Sequence, residues 1–248
     1  MTEPTATAKP SSLISRIIGV ITSPKATFEN VVAAPRPVGV MFVVALVIAI
    51  VSVAPQFTES GRVKMVDMQM KVAERVSQAL GRPLPPDTYA DLEAKSHSVP
   101  RRLAGMLSPF FGLPIWALFL TALYWVAFNT VLGGTAAFKQ VLAVVTHSQV
   151  ISGLGALLGV PIMMMTNSFS LSGPFNLGAL MPGLDPDSQM AAFLGSISVF
   201  SLWGSIVTGI GLGVLYKRSG RNIAIALVIL NILFMFALTA IFRAFLPR

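Results

Sequence analysis

The chain has 248 residues, of which 54% are hydrophobic and only 11% charged, with a mean hydropathy of +0.75 and a net charge of +8. Soluble domains carry about 25% charged residues, so this composition excludes an ordinary water-soluble core, and the absence of cysteine excludes disulfides, thiol catalysis and thiolate-held metal. In such a chain the excess of basic residues reports orientation and contact with anionic lipid, and points away from nucleic acid.

Residues 1–10 are rich in Thr, Ala and Pro and read as a disordered tail. Residues 11–36 read as two short amphipathic interfacial helices. In the first, Leu13, Ile14, Ile17, Ile18 and Ile21 recur at helical spacing, with Arg16 placed on the other side. Ser23-Pro24 restarts the chain, Pro24 fits a first helical position, and Phe28, Val31 and Val32 form a second apolar stripe. Such helices lie in the membrane interface or cap the bundle.

Residues 37–248 form the membrane domain, organised by apolar runs at about 37–56, 109–132, 137–166, 191–216 and 223–246. Each matches the ~20 residues that cross a bilayer as a helix. The first run starts too late for a cleaved signal peptide, and Ser52-Val53-Ala54 is followed by Pro55, so it reads as a retained span. Residues 57–108 form a polar loop. Within it Val63, Val66, Met70, Ala73, Val76 and Leu80 recur at steps of three and four. Asp67 and Lys71 are spaced for an i,i+4 pair, Gly81 and the prolines behind it stop the helix, and Asp87 is placed to cap a second one. Gly133-Gly134-Thr135 joins the second and third spans so tightly that they must be antiparallel neighbours. The link between spans three and four is rich in Gly, Pro, Asn and Ser, and its apolar stretch Phe175–Met181 is suited to dip into the interface. The fold expected is an all-α membrane protein: five transmembrane helices, N-terminal amphipathic interfacial helices and a helical first outer loop.

Orientation follows from Lys and Arg. With the N-terminus inside, the cytoplasmic pieces carry Lys9, Arg16, Lys25, Arg36, Lys139, Lys217, Arg218 and Arg221, while the link after the third span carries none. Arg101 and Arg102, beside the second span, run against this assignment. Long loops obey the rule poorly, so the expectation is a cytoplasmic N-terminus and an outer C-terminus, in a bacterial inner membrane.

Several segments together resemble a known family. Ser23-Pro24-Lys25-Ala26-Thr27-Phe28 with Pro35-Arg36-Pro37, the Gly133-Gly134 turn leading to Phe138, and Phe200-Ser201-Leu202-Trp203 followed by Gly209 and Gly211 resemble the Yip-one domain family. These are membrane proteins named for binding Ypt/Rab GTPases in eukaryotes. Pro24, Phe28, Gly133, Gly134, Phe138 and Trp203 carry the resemblance, which spans about residues 12–246. The charged first loop and Asn176-Leu177-Gly178 resemble the bacterial branch. The resemblance implies five spans and a cytosolic N-terminus; GTPase binding is not carried over, because the features it relies on do not map onto particular residues of this sequence.

Polar side chains inside a bilayer default to functional or helix-joining roles. His147 lies deep in the third span with Gln149 two residues on; Asn129 and Asn231 lie in the second and fifth. Together they make a candidate intramembrane polar site. For His147 the alternatives are a proton-relay or ligand role and a neutral imidazole bonded to a neighbouring helix; for the asparagines, an interhelical hydrogen bond or a substrate contact. Gly155 with Gly159, and Gly209 with Gly213, form small-xxx-small pairs for helix packing, within the chain or between copies. Met163–Met165 has no Cys or His beside it, and Asp185 and Asp187 flank a proline, so no metal site is expected. No catalytic constellation, cofactor motif or acidic residue within a span is present. The expectation is a non-enzymatic protein organising membrane or partner proteins through lipid and helix contacts, with membrane lipids, a membrane or envelope protein, or a second copy as partners. The alternative is a small-molecule or lipid transporter or scramblase using the polar residues of spans two, three and five. An accessory subunit docking a partner through its outer loop is a third.

Overall fold

The computed structural model describes residues 12–167, 169, 173–181, 183–185 and 188–245. The tail at 1–10, Asp187 and the side chain of Arg243 lie outside the described part. The described residues form an all-helical bundle: α1 (Leu13–Thr22), α2 (Pro24–Ala33), α3 (Pro37–Val53), α4 (Glu59–Leu80), α5 (Thr88–Ser96), α6 (Val99–Trp125), α7 (Phe138–Ser148), α8 (Val150–Thr166), α9 (Gln189–Ser196), α10 (Val199–Tyr216) and α11 (Gly220–Phe245). Five stretches are long and apolar enough to cross a membrane: Pro37–Phe57, Arg102–Val131, Phe138–Thr166, Val199–Tyr216 and Gly220–Ile241.

The boundaries differ from the sequence expectation in informative ways. The third run is two helices meeting at Gln149. Before the break, three consecutive side chains bond back one turn: Thr146 Oγ1 to the Leu142 carbonyl at 2.9 Å, His147 Nδ1 to Ala143 at 2.7 Å, and Ser148 Oγ to Val144 at 2.9 Å. Such bonding competes with the backbone ladder and bends helices. The fourth run breaks at Ile197-Ser198, where the chain is held in extended form against the preceding link: Leu177 N–H donates to the Ile197 carbonyl at 3.0 Å, and Val199 N–H to Phe175 at 2.8 Å. Ser198 then caps α10 by accepting from Phe200 N–H. Phe175 packs edge-on against Phe200, 5.3 Å between ring centres. The second span is preceded by ten further helical residues, so α6 starts at Val99, and its far end continues as a π-helical segment, Val126–Val131.

The core lies where α3, α7, α8 and α10 meet, with Val40, Val44, Val141, Val144, Ile151, Val207 and Leu212 buried. The third span is the central one: 56% of its most apolar window is buried, against 11% for the second and fifth.

The helices α1 and α2 pack against α7 and α10 at the bundle end carrying the Gly133-Gly134 turn, with the Arg16 side of α1 turned inward. Arg16 is only 2% exposed and Val20 fully buried, whereas Ile14 and Ile18 are 69% and 55% exposed. The cause is the open carbonyl end of α2. Arg16 Nη1 donates to the Ala34 carbonyl at 2.9 Å, and Gln140 Nε2 of α7 reaches the Val32 carbonyl at 3.3 Å, satisfying acceptors a helix C-terminus leaves open. Burial and the nearby Arg36 charge hold the Arg16 pKa below the usual arginine value, yet an arginine stays charged at neutral pH. Phe28 points inward from α2 against Gly211 of α10.

The loop between the first and second spans is a helical hairpin of α4 and α5. Thr58 caps α4 by accepting from Gly61 N–H at 3.1 Å, and Gly81 ends it with φ +62°. Two sequence expectations fail here. The Asp87 side chain makes no cap hydrogen bond; Thr88 turns its own hydroxyl back to the Pro85 carbonyl at 2.7 Å. Asp67 does not pair with Lys71 but accepts from the Tyr89 hydroxyl at 3.4 Å, and the ion pair of the hairpin is Lys95–Asp91 at 3.3 Å.

Candidate functional site

The polar side chains within the spans distribute over separate places. Asn129 sits in the π-helical end of the second span, beside the glycine turn. Its Nδ2 donates to the Ala136 carbonyl at 2.8 Å, which also accepts from Trp125 Nε1 at 3.0 Å. Its Oδ1 accepts from the Tyr216 hydroxyl of α10 at 2.9 Å. The Tyr216 ring stacks on Phe128, centres 4.7 Å apart.

This cluster depends on the two glycines. Gly133 has φ +69°, which costs an L side chain strain but suits glycine. A Cβ on Gly134 would sit 2.6 Å from the Tyr216 ring and 2.8 Å from the Phe128 carbonyl. Gly134 N–H donates to that same carbonyl at 2.8 Å, closing the turn. Arg218, in the link between α10 and α11, donates from Nη2 to the Leu132 carbonyl at 2.8 Å. Both inter-helix links at this end are thus tied together, and Phe138 packs near Trp125 at 6.4 Å between rings.

His147 is fully buried, ten residues along α7 from its Ala137 cap. At 1.5 Å per residue this places it about 15 Å from the Asn129 cluster along the helix axis. Its Nδ1 bonds the Ala143 carbonyl of its own helix rather than a neighbouring one. Donation to a carbonyl requires the proton on Nδ1, which leaves Nε2 an acceptor, and Nε2 is buried without a partner among the described residues. Gln149, at the α7–α8 break, likewise has a buried Oε1 without a partner, as does Asn231 Oδ1 on α11. Residues 147 and 149 are two apart on a helical path and therefore point to different sides. Neither of two cavities of about 660 and 580 Å³ is lined by Asn129, His147, Gln149 or Asn231.

The glycine pairs meet partners within the chain. A Cβ on Gly209 would lie 2.4 Å from the Ala224 backbone, and one on Gly213 2.4 Å from Gly220 Cα, so this pair seats α10 against α11. The other pair receives rings: Gly155 lies under Phe200, at 2.7 Å from the added Cβ, and Gly159 under Pro174, at 3.3 Å. Phe200 also packs 6.1 Å from Trp203 between ring centres. Pro24 opens α2 at its first turn.

Sequence reasoning missed Tyr216 as the partner of Asn129 and missed the inward-facing Arg16. Tyr216 was detectable in principle, being an aromatic hydroxyl beside a basic link; nothing in the local pattern of α1 marks Arg16 as buried. Among the described residues no group of three or more His, Cys, Asp or Glu is placed to hold a metal.

With this geometry in hand, the comparisons with known proteins are specific. Residues 18–242 match the Yip1 domain. The chain is 29% identical over 240 residues to the membrane protein YknW of Bacillus subtilis, covering 94% of this chain and 91% of that protein. No solved structure matches.

Proposed function

This chain belongs to the Yip1 domain family of membrane proteins, and from that premise we propose that it is a non-enzymatic organiser, acting on membrane lipids and on membrane or envelope proteins through surface and helix contacts. The observation that carries this reading is the dispersal of the intramembrane polar groups. Asn129 uses both amide atoms to tie two links of the bundle end, and His147 bonds its own helix about 15 Å away. Asn129 used in this way joins helices, and His147 stands apart from it, so the two do not line a common path.

A second support is charge. At the bundle end carrying α2 and the two links, Lys25, Arg36, Lys139, Lys217, Arg218 and Arg221 are exposed, with Glu29 the acid among them. Such a face suits an anionic cytoplasmic leaflet, alongside the outward Ile14 and Ile18 of α1. The reading we propose therefore includes a bacterial inner membrane location with the N-terminus inside and the C-terminus outside, and this charge pattern supports it. Copurified partners that disappear on deletion of Val63–Lys95 would tie the organising role to the outer hairpin.

The transporter or scramblase reading draws on the unpartnered acceptors His147 Nε2, Gln149 Oε1 and Asn231 Oδ1. Flux assays in proteoliposomes separate the two. The organiser reading expects no solute or lipid flux above protein-free vesicles; flux abolished by Asn129→Ala or His147→Ala overturns it.

A further inference from the structure

A lateral groove opens between α3 and the first part of α6. It has a volume of about 580 Å³ and is lined by Leu46 and Ala49 of α3 and by Pro100, Leu103, Leu107 and Phe110 of α6. Leu46, Leu103 and Leu107 are 39%, 56% and 53% exposed, so the groove is open along its side. Every residue lining it is apolar, so a ligand held by hydrogen bonds has nothing to bind there.

Its length selects among apolar occupants. From Pro100 to Phe110 is ten residues of helix, about 15 Å, which is half the ~30 Å hydrocarbon thickness and thus the depth of one leaflet. The groove begins where the second candidate span begins, at Arg102. Arg102 stands one turn before Met106, which also lines the groove.

The Arg102 head is held in place. Its Nε donates to the Ser96 carbonyl at 3.1 Å and its Nη2 to His97 at 3.2 Å, while the guanidinium lies 5.9 Å from the centre of the Phe57 ring. Among the described residues neither a hydrogen bond to Nη1 nor an ion pair to the guanidinium is present, so its charge stands without a carboxylate partner. A fixed guanidinium at the end of a leaflet-deep apolar groove matches a phosphate joined to an acyl chain.

We propose that the α3–α6 groove binds one anionic phospholipid, its acyl chain between Leu46 and Leu107 and its phosphate at Arg102. This stands whether or not the protein organises partners, since it concerns occupancy alone.

The test uses the full chain in vesicles of phosphatidylglycerol and phosphatidylcholine, with trace phosphatidylglycerol carrying a photoreactive group in its acyl chain and adducts mapped by mass spectrometry. Adducts on residues 100–110 should saturate and be competed by unlabelled phosphatidylglycerol. Ala104→Trp, which fills the groove, should reduce them several-fold without changing adducts at Ile115, an outward position lower on α6; if it does not fold, Ala104→Leu is read instead. Arg102→Gln should abolish the preference for phosphatidylglycerol over phosphatidylcholine, and Arg102→Lys should keep it. Adducts that rise linearly with lipid and match those at Ile115 overturn the proposal, as does indifference to the Ala104 variants or a preference that survives Arg102→Gln. Crosslinks from the groove to a second chain would show that another copy covers it, and also overturn it.

Discussion

Gly209→Ala is the sharpest test of the seam between α10 and α11. The added Cβ would lie 2.4 Å from both Cα and N of Ala224, 1.0 Å short of the 3.4 Å at which ordinary contact begins. The obstructing atoms are backbone, so no rotamer change relieves the clash and the helices must separate. Overpacking of this kind costs about 1–3 kcal/mol, and a backbone obstruction places it at the upper end. Alanine returns about 1 kcal/mol through its better helix propensity, leaving a net loss of about 2 kcal/mol. For a chain of this size that is a fall of roughly 4–8 °C in melting temperature. Gly204 lies on the same helix with nothing within 4 Å of its Cβ position, so Gly204→Ala should hold or raise the melting temperature. Gly211→Ala meets Val144 Cγ1 at 2.6 Å and the Phe28 ring at 3.0 Å, both side chains, and should fall between them. Thermal unfolding of the three variants in the same detergent reads the order directly. Equal melting temperatures for the Gly209 and Gly204 variants would refute the reasoning.

Tyr216→Phe removes the donor to Asn129 Oδ1 and should cost about 1–3 kcal/mol; Asn129→Ala, which also removes the bond to the Ala136 carbonyl, should cost less in that background than in the unaltered chain, and additive losses in the double-mutant cycle would deny the Tyr216 bond. Thr58→Ala removes the α4 cap and should cost about 1 kcal/mol, whereas Asp87→Ala, lacking a cap bond, should leave α5 unchanged; hydrogen exchange at Gly61–Arg62 and at Asp91 reads the two. Burial and then the Asp67 and Glu93 charges raise the Tyr89 pKa above that of an ordinary tyrosine. A raised acid pKa favours the neutral form in the fold, so its contact with Asp67 is complete at neutral pH and lost as pH rises through that pKa. Tyrosinate absorbance in a Tyr124→Phe, Tyr216→Phe background should show the titration moving down on Asp67→Asn. Because the chain has no cysteine, single-cysteine labelling is unambiguous: Lys25→Cys should be shielded from an impermeant maleimide in intact cells and Thr88→Cys labelled, and the opposite pattern reverses the orientation.

The spans and their approximate ends were legible because sustained apolar runs report the bilayer, whatever the tertiary packing. The glycine turn was legible for a similar reason, since Gly133-Gly134 between two spans leaves few conformations. The two internal breaks were not. At Gln149 the break follows from Thr146, His147 and Ser148 all bonding back, and each of these residues is tolerated alone inside a helix. At Ile197-Ser198 it follows from pairing with Phe175 and Leu177, a tertiary contact with no local signature. The inward face of α1 was not legible, because periodicity finds a stripe but not which side of it meets protein. In water the apolar side must turn inward; beside lipid it is free to turn outward, and Arg16 then reaches the carbonyl end of α2. The candidate polar residues were legible as a list, since polarity within an apolar run stands out, but their grouping was not. Whether Asn129 and His147 meet depends on how far His147 lies along the third span from the glycine turn and on Tyr216, which belongs to a different run.

The uneven burial of the spans bears on where function resides. The third span is enclosed by its neighbours, while the second and fifth have only 11% of their apolar windows buried. On α6 Ala117 and Thr121 are fully buried, with the Thr121 hydroxyl bonded to the Ala117 carbonyl at 2.6 Å, Leu120, Tyr124 and Trp125 are half-buried against the core, and outward stand Phe111, Ile115, Trp116 and Phe119. A helix that packs along one face leaves its other face to lipid or to another protein. For a path-forming protein the reverse is expected, with polar surface turned inward around a shared space. Here the inward polar groups are few and dispersed and the outward apolar surface is large, so surface variants on α6 and α11 should alter associations without lowering stability, whereas interior variants on α7 should do the opposite. Measuring both stability and copurified partners for Trp116→Ala and for Val144→Ala separates the two: loss of partners with an unchanged melting temperature is expected for the first, and a lowered melting temperature for the second. If Trp116→Ala lowers the melting temperature as far as Val144→Ala does, the second span is part of the core and the assignment of function to its outer face falls.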